Sequence, residues 1–274
     1  MKILAVVVTY YPEENLLKKN INAFIDYVDK VLIWENTPGS EKLSFRFIHD
    51  EKIEYCGDGI NSISHGLNHA WHYAQDNGYD YLLTMDQDSV FENFQYLKKY
   101  GEEHFGEKII LGPCYNIDKI IIDENNSAIK TEVLITSGSL VCVSVLDKLG
   151  GYDEKLAIDG VDSDLCFRAN RKGIYSYRVE NCNLVQRFGE PEYKHFFGKK
   201  ILLSSYSAKR LESILKAHIY LIRKHKDMSK EVKKYIIRHY IIERIRDIVL
   251  FENDKFNKIL SMIKGIVKGL LVKI

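Results

Sequence analysis

The sequence predicts an α/β protein: a Rossmann-like, mostly parallel central sheet flanked by helices, with a C-terminal helical extension. Three observations lead there. Short apolar runs rich in β-branched residues stand at Ile3–Thr9, Val31–Trp34 and Tyr81–Met85, the pattern of strands buried on both faces. Stretches with helical spacing separate them, which is the alternation of βαβ units. Beyond Gly198 no glycine occurs until Gly265, and the apolar residues there recur at steps of three and four.

Each element follows in order. After the first strand, Leu16 to Tyr27 reads as a helix, and 61–77 as a second that ends near Gly78. Ile109–Leu111 and Val133–Ile135 read as strands, separated by the turn-rich Asp123–Ser127. Ser139 to Val143 is apolar and β-rich. Ser163 to Lys172 reads as a short helix closed by Gly173, and Ile174 to Val179 returns to strand. From about Lys199 the pattern is helical to the end. The organisation expected is therefore an α/β domain over 1–200 and a helical region over 201–274.

Composition narrows the class. The chain has 274 residues, 46 % of them apolar and 28 % charged, enough for a sizeable core. Met1-Lys2 runs directly into the first strand without the features of a signal peptide, and no apolar run reaches the roughly 18 residues of a membrane span. Five scattered cysteines, none in a C-x-x-C pair, read as reduced thiols of a cytoplasmic protein. Charge is divided unevenly: residues 1–193 hold 19 Lys/Arg against 31 Asp/Glu, and residues 194–274 hold 20 against 7, a balance of −12 and +13. The basic part lacks a nucleic-acid-reading motif, which argues against that partner.

Three constellations can carry chemistry. Met85-Asp86-Gln87-Asp88-Ser89 sets two carboxylates two residues apart after a buried strand. With an extended backbone both would face one crevice at the carboxyl end of the sheet. Aspartate oxygens suit Mg2+ or Mn2+, and such an ion would be shared with substrate phosphates. Two aspartates in a surface turn are the simpler explanation of the triplet taken alone. Ile158-Asp159-Gly160-Val161-Asp162-Ser163-Asp164 crowds acids at a helix start, where they either cap the helix or supply a general base. Thr136-Ser137-Gly138-Ser139-Leu140 places a glycine between small hydroxyls, which is a turn or a close approach of backbone to ligand.

The order of these motifs, joined by Val7-Val8-Thr9-Tyr10-Tyr11-Pro12, Glu35-Asn36, Gly66-Leu67-Asn68, Gly150-Gly151-Tyr152-Asp153-Glu154 and Leu165-Cys166-Phe167-Arg168, resembles the family 2 glycosyltransferases of GT-A fold. Within them it resembles the rhamnosyltransferase-like branch that builds bacterial surface polysaccharides, over residues 5–180 or so. The resemblance implies an inverting, metal-dependent enzyme. Its donor would be a dTDP- or UDP-linked sugar, L-rhamnose by the branch, and its acceptor a saccharide or lipid-linked molecule. It implies that Thr9, Tyr11 and Glu35 hold the base and ribose, with Asp58 in the same pocket. Asp86 would face the ribose, Asp88 the metal, and Asp162 would be the base. Asn68, Ser137, Gly138 and Asp164 belong to matching motifs on the substrate side.

Departures accompany the match. Glu35 stands where relatives carry aspartate, and Val161 where many carry the first acid of the pair. Gln186 occupies the place of a histidine that ligates metal in many relatives, so either the metal site is looser or Arg187 beside it takes part of the charge work on the diphosphate. Tyr206-Ser207-Ala208-Lys209-Arg210 fits the tyrosine-rich stretch of the branch, making Arg210 a further substrate contact, but 211–217 does not. Two rival readings stand beside this one. Asp86-Gln87-Asp88-Ser89-Val90 also fits the D-x-D-x-V signature of haloacid-dehalogenase-type phosphatases, although at least two strands precede it. A transferase-like scaffold without activity is the other. His65, His69 and His72 share one helix and read as packing or surface residues rather than ligands.

At the C-terminus, Phe256, Ile259, Leu260, Ile263, Ile266, Val267, Leu270, Leu271 and Ile274 draw an apolar stripe on a helix, with Lys255, Lys258, Lys264, Lys268 and Lys273 mainly off it. That stripe is expected to meet a membrane interface, the protein's own helices or a second copy of the chain, as in a homodimer.

Overall fold

A computed structural model describes residues 1–39, 48, 50–116, 125–186 and 205–274, and the backbone of 192–196 and 199–203. Contacts divide the chain into two compact units, Met1–Arg187 and Phe188–Ile274.

The first unit is built on strand β1 (Ile3–Thr9), every residue of which is buried. Helix α1 (Glu14–Asn22) follows and stops earlier than the sequence suggests. A 3-10 turn takes up Ile25–Tyr27, because the amides of Ala23 and Phe24 turn back to Asn20 and Ile21. Then come β2 (Lys30–Glu35), β3 (Ile53–Cys56) and α2 (Ile63–Asp76), whose first turn is capped by the Ser62 hydroxyl accepting from the His65 amide at 3.3 Å. Strands β4 (Tyr81–Asp86) and β5 (Ser89–Glu92) flank a two-residue turn. Helix α3 (Phe94–Glu103), β6 (Ile109–Tyr115), β7 (Ala128–Thr131), β8 (Ser139–Cys142), α4 (Val143–Leu149), α5 (Val161–Arg171) and β9 (Tyr175–Gln186) complete the unit.

The sheet runs β3-β2-β1-β4-β8-β6-β9-β5, with β7 beside β9. Its first four strands are parallel, and so is the β6–β9 pair; the pairs involving β5, β7 and β8 are antiparallel. The chain leaves β1 to one side through β2 and β3 and returns on the other side as β4. That reversal opens a crevice at the carboxyl ends of β1 and β4, where open α/β sheets bind ligands. Register places Thr9 opposite Glu35 and Val8 opposite Asp86, so the expected site residues share this edge. The core beneath joins Ile3, Ala5 and Val7 to Leu17, Ile21, Phe24, Phe94 and Leu97.

Two expectations fail in the middle of the chain. Val133–Ile135 is no strand. Leu134 is buried, but the amides of Leu134 and Ile135 donate to Cys166 Sγ at 3.5 Å and Tyr115 Oη at 3.2 Å, so side chains take the place of a ladder. The strand in this part of the chain is instead β7, which pairs with 176–179 of β9. Helix α5 begins two residues earlier than Ser163, with Gly160 in a left-handed conformation at its N-cap.

In the second unit the helical reading begins too early. Strands β10 (Glu192–Phe196) and β11 (Lys199–Leu203) form an antiparallel hairpin before the first helix. The apolar run Ile201–Leu203 suits either element, and pairing with β10 decides it. Helices α6 (Ala208–Lys224), α7 (Lys230–Ile237), α8 (Arg244–Phe251) and α9 (Lys255–Leu271) follow, with a π-helical turn over Arg238–Glu243 joining α7 to α8. Their core is Leu211, Ile214, Leu215, Ile248 and Met262. Beside it His218 stacks on Tyr240 at 3.7 Å, and burial pushes its pKa down to about 4, so it is a neutral packing residue. Helix α9 crosses α6 on Gly265 and Gly269. A side chain at these positions would come within 2.5 Å of the Glu212 carbonyl and 2.7 Å of the Lys216 carbonyl.

Candidate active site

At the β1–β2 end of the crevice the polar residues satisfy one another. The Thr9 hydroxyl is buried and donates to Glu35 Oε2 at 2.9 Å, while Glu35 Oε1 accepts from the Thr37 amide at 2.7 Å. The Thr37 hydroxyl in turn accepts from the Tyr11 amide at 2.8 Å. Thr9 and Glu35 thus build the floor of the crevice, contrary to the expectation that both present polar atoms to a nucleoside: only 2 % of Glu35 is exposed. Tyr11 is the open group. It adopts a left-handed backbone (φ 46°), stands 60 % exposed, and meets the Tyr10 ring edge-on at 4.7 Å.

Asp58, just past β3, accepts from the Ile60 amide at 2.9 Å and pairs with His65 Nε2 at 2.7 Å. Burial works against its ionisation, but these two bonds hold its pKa below the usual carboxylate value. On the other side, His65 Nδ1 lies 3.5 Å from Glu154. Burial opposes the imidazolium, and the two carboxylates outweigh it, so the His65 pKa is raised. His69 packs at a tilt against Trp34 and His72 stacks on Trp71, which agrees with the packing role expected of them. Asn68 spends its amide on the loop after α4. It donates to the Tyr152 carbonyl and to Glu154, both at 3.0 Å, and accepts from the Tyr152 amide at 2.7 Å. It positions that loop and is not an open substrate contact.

The other end differs in kind. The backbone does not stay extended through the acid pair, as the sequence reading assumed, but turns at Gln87–Asp88. Three side chains hold that turn. Asn20 Nδ2 donates to the carbonyls of Asp86 (2.8 Å) and Ser89, Gln87 clasps both backbone groups of Tyr10, and the Ser137 hydroxyl accepts from the Asp86 amide at 3.1 Å. Ser137 is buried, and Gly138 takes the left-handed conformation (φ 83°) that lets its amide reach the Thr84 carbonyl at 2.7 Å. Both residues support Asp86 rather than face solvent.

The turn brings Asp86 and Asp88 near Asp162, which stands in the first turn of α5. Burial raises the Asp86 pKa to about 7, and the charges of Asp88 and Asp162 add to it. Burial also raises Asp88, and it raises Asp162 against a bond from the Ser163 amide at 2.6 Å. Among the described residues no cation pairs with any of the three. Gly160 holds the N-cap without a side-chain bond, and Asp162 stands in the first turn, where its carboxylate accepts the Ser163 amide and so takes the first-turn role the sequence allowed it. Asp164, expected on the substrate side, is wholly buried and bonds Arg168 at 2.7 Å. Arg168 donates onward to the carbonyls of Leu149 and Gly151, both at 2.8 Å, so this pair clamps α5 to the loop after α4.

Gln186 ends β9 opposite Ser89 and reaches the same place. Its Nε2 donates to Asp86 Oδ2 at 3.1 Å, while its Oε1 is buried and has no partner among the described residues. A buried amide oxygen without a donor is a position that a hard cation satisfies. No group of three or more His, Cys, Asp or Glu among the described residues forms a metal cage. The donor set is thus sparse and oxygen-only, which fits a magnesium-like ion that takes most of its ligands from phosphate and water. Arg187 lies outside the described residues. Arg210 belongs to the second unit, in the first turn of α6, where its amide donates to Ser207 Oγ at 3.2 Å. The sequence reading overlooked the roles of Asn20 and Gln87: Gln87 lies between the two acids of the motif, where nothing local marks its bonds to Tyr10, and Asn20 lies in no motif and is brought to the turn only by the fold.

No family model matches the chain. It is 27 % identical over 258 residues to the dTDP-rhamnosyl transferase RfbF of Shigella flexneri, covering 85 % of this chain and 84 % of that one. Among solved structures it is similar to the mannosyltransferase PcManGT of Pyrobaculum calidifontis, in complex with GDP-Man and Mn2+, at a TM-score of 0.61 and 10 % identity over 98 % of this chain and 87 % of that one. It also resembles GalNAc-T7 with UDP, GalNAc and Mn2+, at a TM-score of 0.61 and 12 % identity, with 94 % of this chain spanning 53 % of that one. The S. aureus TarS fragment 1–349 with UDP-GlcNAc gives 0.54 at 13 %, over 97 % of this chain and 82 % of that one. These structural likenesses show the GT-A fold. In this chain the acid triplet stands at the end of the fourth strand, not the first as in the phosphatases of the rival reading. Motif order, strand order and the RfbF likeness together support a rhamnosyltransferase-like protein similar to the family 2 glycosyltransferases.

Proposed function

We propose that the protein is an inverting glycosyltransferase that uses a nucleoside diphosphate sugar with Mg2+ or Mn2+. The observation that carries this reading is the set of three half-buried carboxylates, Asp86, Asp88 and Asp162, at the switch point of the sheet, where the charges of Asp88 and Asp162 add to the burial that raises the Asp86 pKa. Such a cluster is costly unless a cation and its ligand complete it.

In this reading Tyr11 stacks on the base above the Thr9–Glu35 floor, with Asp58 at the far side of the pocket. Asp88 and Gln186 Oε1 hold the divalent ion, whose charge would offset that of the departing diphosphate. Asp86 meets the ribose, and Arg187, next in sequence to Gln186, is a further contact for the donor. Asp162 accepts the proton of the acceptor hydroxyl. As that oxygen bonds to the anomeric carbon, the bond from that carbon to the diphosphate breaks and the nucleoside diphosphate leaves. A carboxylate whose pKa is raised is the better base near neutrality.

The RfbF likeness supports dTDP-rhamnose as donor, with a UDP-sugar as the nearest substitute, and a saccharide or lipid-linked acceptor in surface polysaccharide synthesis. The five free cysteines fit a cytoplasmic setting. The test is a panel of nucleotide sugars with Mg2+ or Mn2+, scored by thermal stabilisation. The matching donor should raise the melting temperature of the wild type with metal and not that of Asp88→Ala. If no donor stabilises the chain, or the variant responds equally, the assignment fails.

A further inference from the structure

In the second unit, helix α9 is apolar on two sides. It packs on α6 at Gly265 and Gly269 and buries Met262, with Ile259 and Ile266 half-buried against the same core, while Phe256, Leu260, Ile263, Val267, Leu270 and Leu271 face solvent. Exposure reaches 79 % at Phe256 and 77 % at Leu271. Steps of three and four keep these residues on one side along the whole helix. Helix α8 and the turn before it add exposed Ile242, Ile245 and Val249 at the same spacing.

Charge identifies what covers this face. Exposed Lys264 and Lys268 form a row beside the apolar stripe, four residues apart, and Lys255 and Lys273 stand exposed at its ends. The α7 turn contributes Lys230, Lys233, Lys234 and Arg238 around the apolar Ile237 and Ile242. Residues 194–274 carry a balance of +13, and their acids are largely engaged: Glu212 by Lys268, Glu243 by Arg238, Asp247 by Arg246, and Glu252 by Arg244 and Lys258. A second copy docking face to face would set these lysines against themselves. Among the described residues no helix is long and apolar enough to cross a bilayer. We infer that α9, with α8 beside it in the chain, is a basic interfacial helix that lies on an anionic lipid surface, with its apolar face among the acyl chains and its lysines on the headgroups. The inference does not depend on the chemistry of the first unit.

Flotation of the full-length chain with vesicles tests it. The protein should float with vesicles containing phosphatidylglycerol, float poorly with phosphatidylcholine alone, and be released by high salt. The exposed face can be altered without touching the α6 contact. Ile263→Ser and Val267→Ser should each lower partitioning roughly tenfold, and Lys264→Glu should lower it about fivefold or more on the anionic vesicles only. Far-UV circular dichroism and donor-induced thermal stabilisation, read in each variant, separate loss of lipid binding from loss of fold or of the nucleotide site. Absence of flotation by the wild type overturns the inference, as does flotation indifferent to all three substitutions. A wild-type dimer that the serine variants convert to monomer, without vesicle binding, assigns the face to a second copy instead.

Discussion

The two ends of the crevice use acids in opposite ways. Toward β2 and β3, Glu35 and Asp58 are each closed by hydrogen bonds from the chain itself, and Asp58 also by His65. Toward β4 and α5, Asp86, Asp88 and Asp162 lie near one another with no cationic partner among the described residues: Gln186 donates to Asp86 and the Ser163 amide to Asp162, and burial raises all three pKa values. The first arrangement stabilises the folded chain and shapes a floor. The second costs stability and is relieved only by something that binds. Acids of one residue type thus serve structure or function according to whether the fold supplies them a partner.

The largest effect should come from the crowded end. Asp162→Asn keeps the side chain's shape and its place at the head of α5 while removing the proton acceptor. Transfer should fall by roughly 10²–10⁴-fold, with donor-induced stabilisation retained. Because burial raises the Asp162 pKa, the acid limb of the wild-type rate profile should lie above the ordinary carboxylate range. A variant with near-normal kcat would move the base elsewhere and end the contrast drawn above.

Stability should answer in the other direction. Asp86 titrates near 7 in the folded chain, against about 4 when unfolded. A raised carboxyl pKa means that the native state holds the proton more tightly. Its ionisation therefore costs stability increasingly from about pH 4, and fully above about pH 7. A shift of this size is worth at most about 4 kcal/mol, and water reaching the crevice brings the expectation to on the order of 2 kcal/mol. Asp86→Asn keeps an acceptor for Gln186, so without metal it should melt higher than the wild type at pH 8 and alike near pH 4. A wild type as stable as the variant at pH 8 would show that the cluster is not strained.

Much of this contrast could be read from sequence, and the reason is local. Buried strands announce themselves by composition, so β1, β2 and β4 and the acids at their ends were legible, and register did the rest. Whether an acid has a partner is not local. Asp164 sits two residues from Asp162 in the same helix turn, yet it is sealed by Arg168, which anchors two carbonyls of a distant loop. Thr9 and Glu35 look like ligand contacts until the pairing of β1 with β2 sets them against each other. Asn68 looks like one until Tyr152 meets it from 84 residues away. Val133–Ile135 failed for a related reason: apolar content marked it as buried, but only tertiary contacts decide whether a ladder or side chains take its amides.

The smallest effect sharpens the paired end. His65 stands between Asp58 and Glu154, and its pKa is raised where that of Asp58 is lowered. A raised histidine pKa contributes stability below about pH 6.5 that is lost as pH climbs through the folded value; a lowered aspartate pKa contributes above about pH 4 and is lost below it. The pair therefore acts in the window between, weakly acidic to neutral. The side chains of His65 and Asp58 are 30 % and 39 % exposed, so solvent screens the pair, and its worth should be about 0.5 kcal/mol. His65→Gln removes the charge and also part of the contact with Trp34, an edge-on packing at 5.9 Å that does not titrate. The informative quantity is thus not the stability difference itself but its change with pH. Denaturant melts of both chains should differ most near pH 5.5 and converge to the small packing term by about pH 8. A difference that stays level across that range would mean that His65 is neutral and held by packing alone, and Asp58 would then have no cationic partner among the described residues.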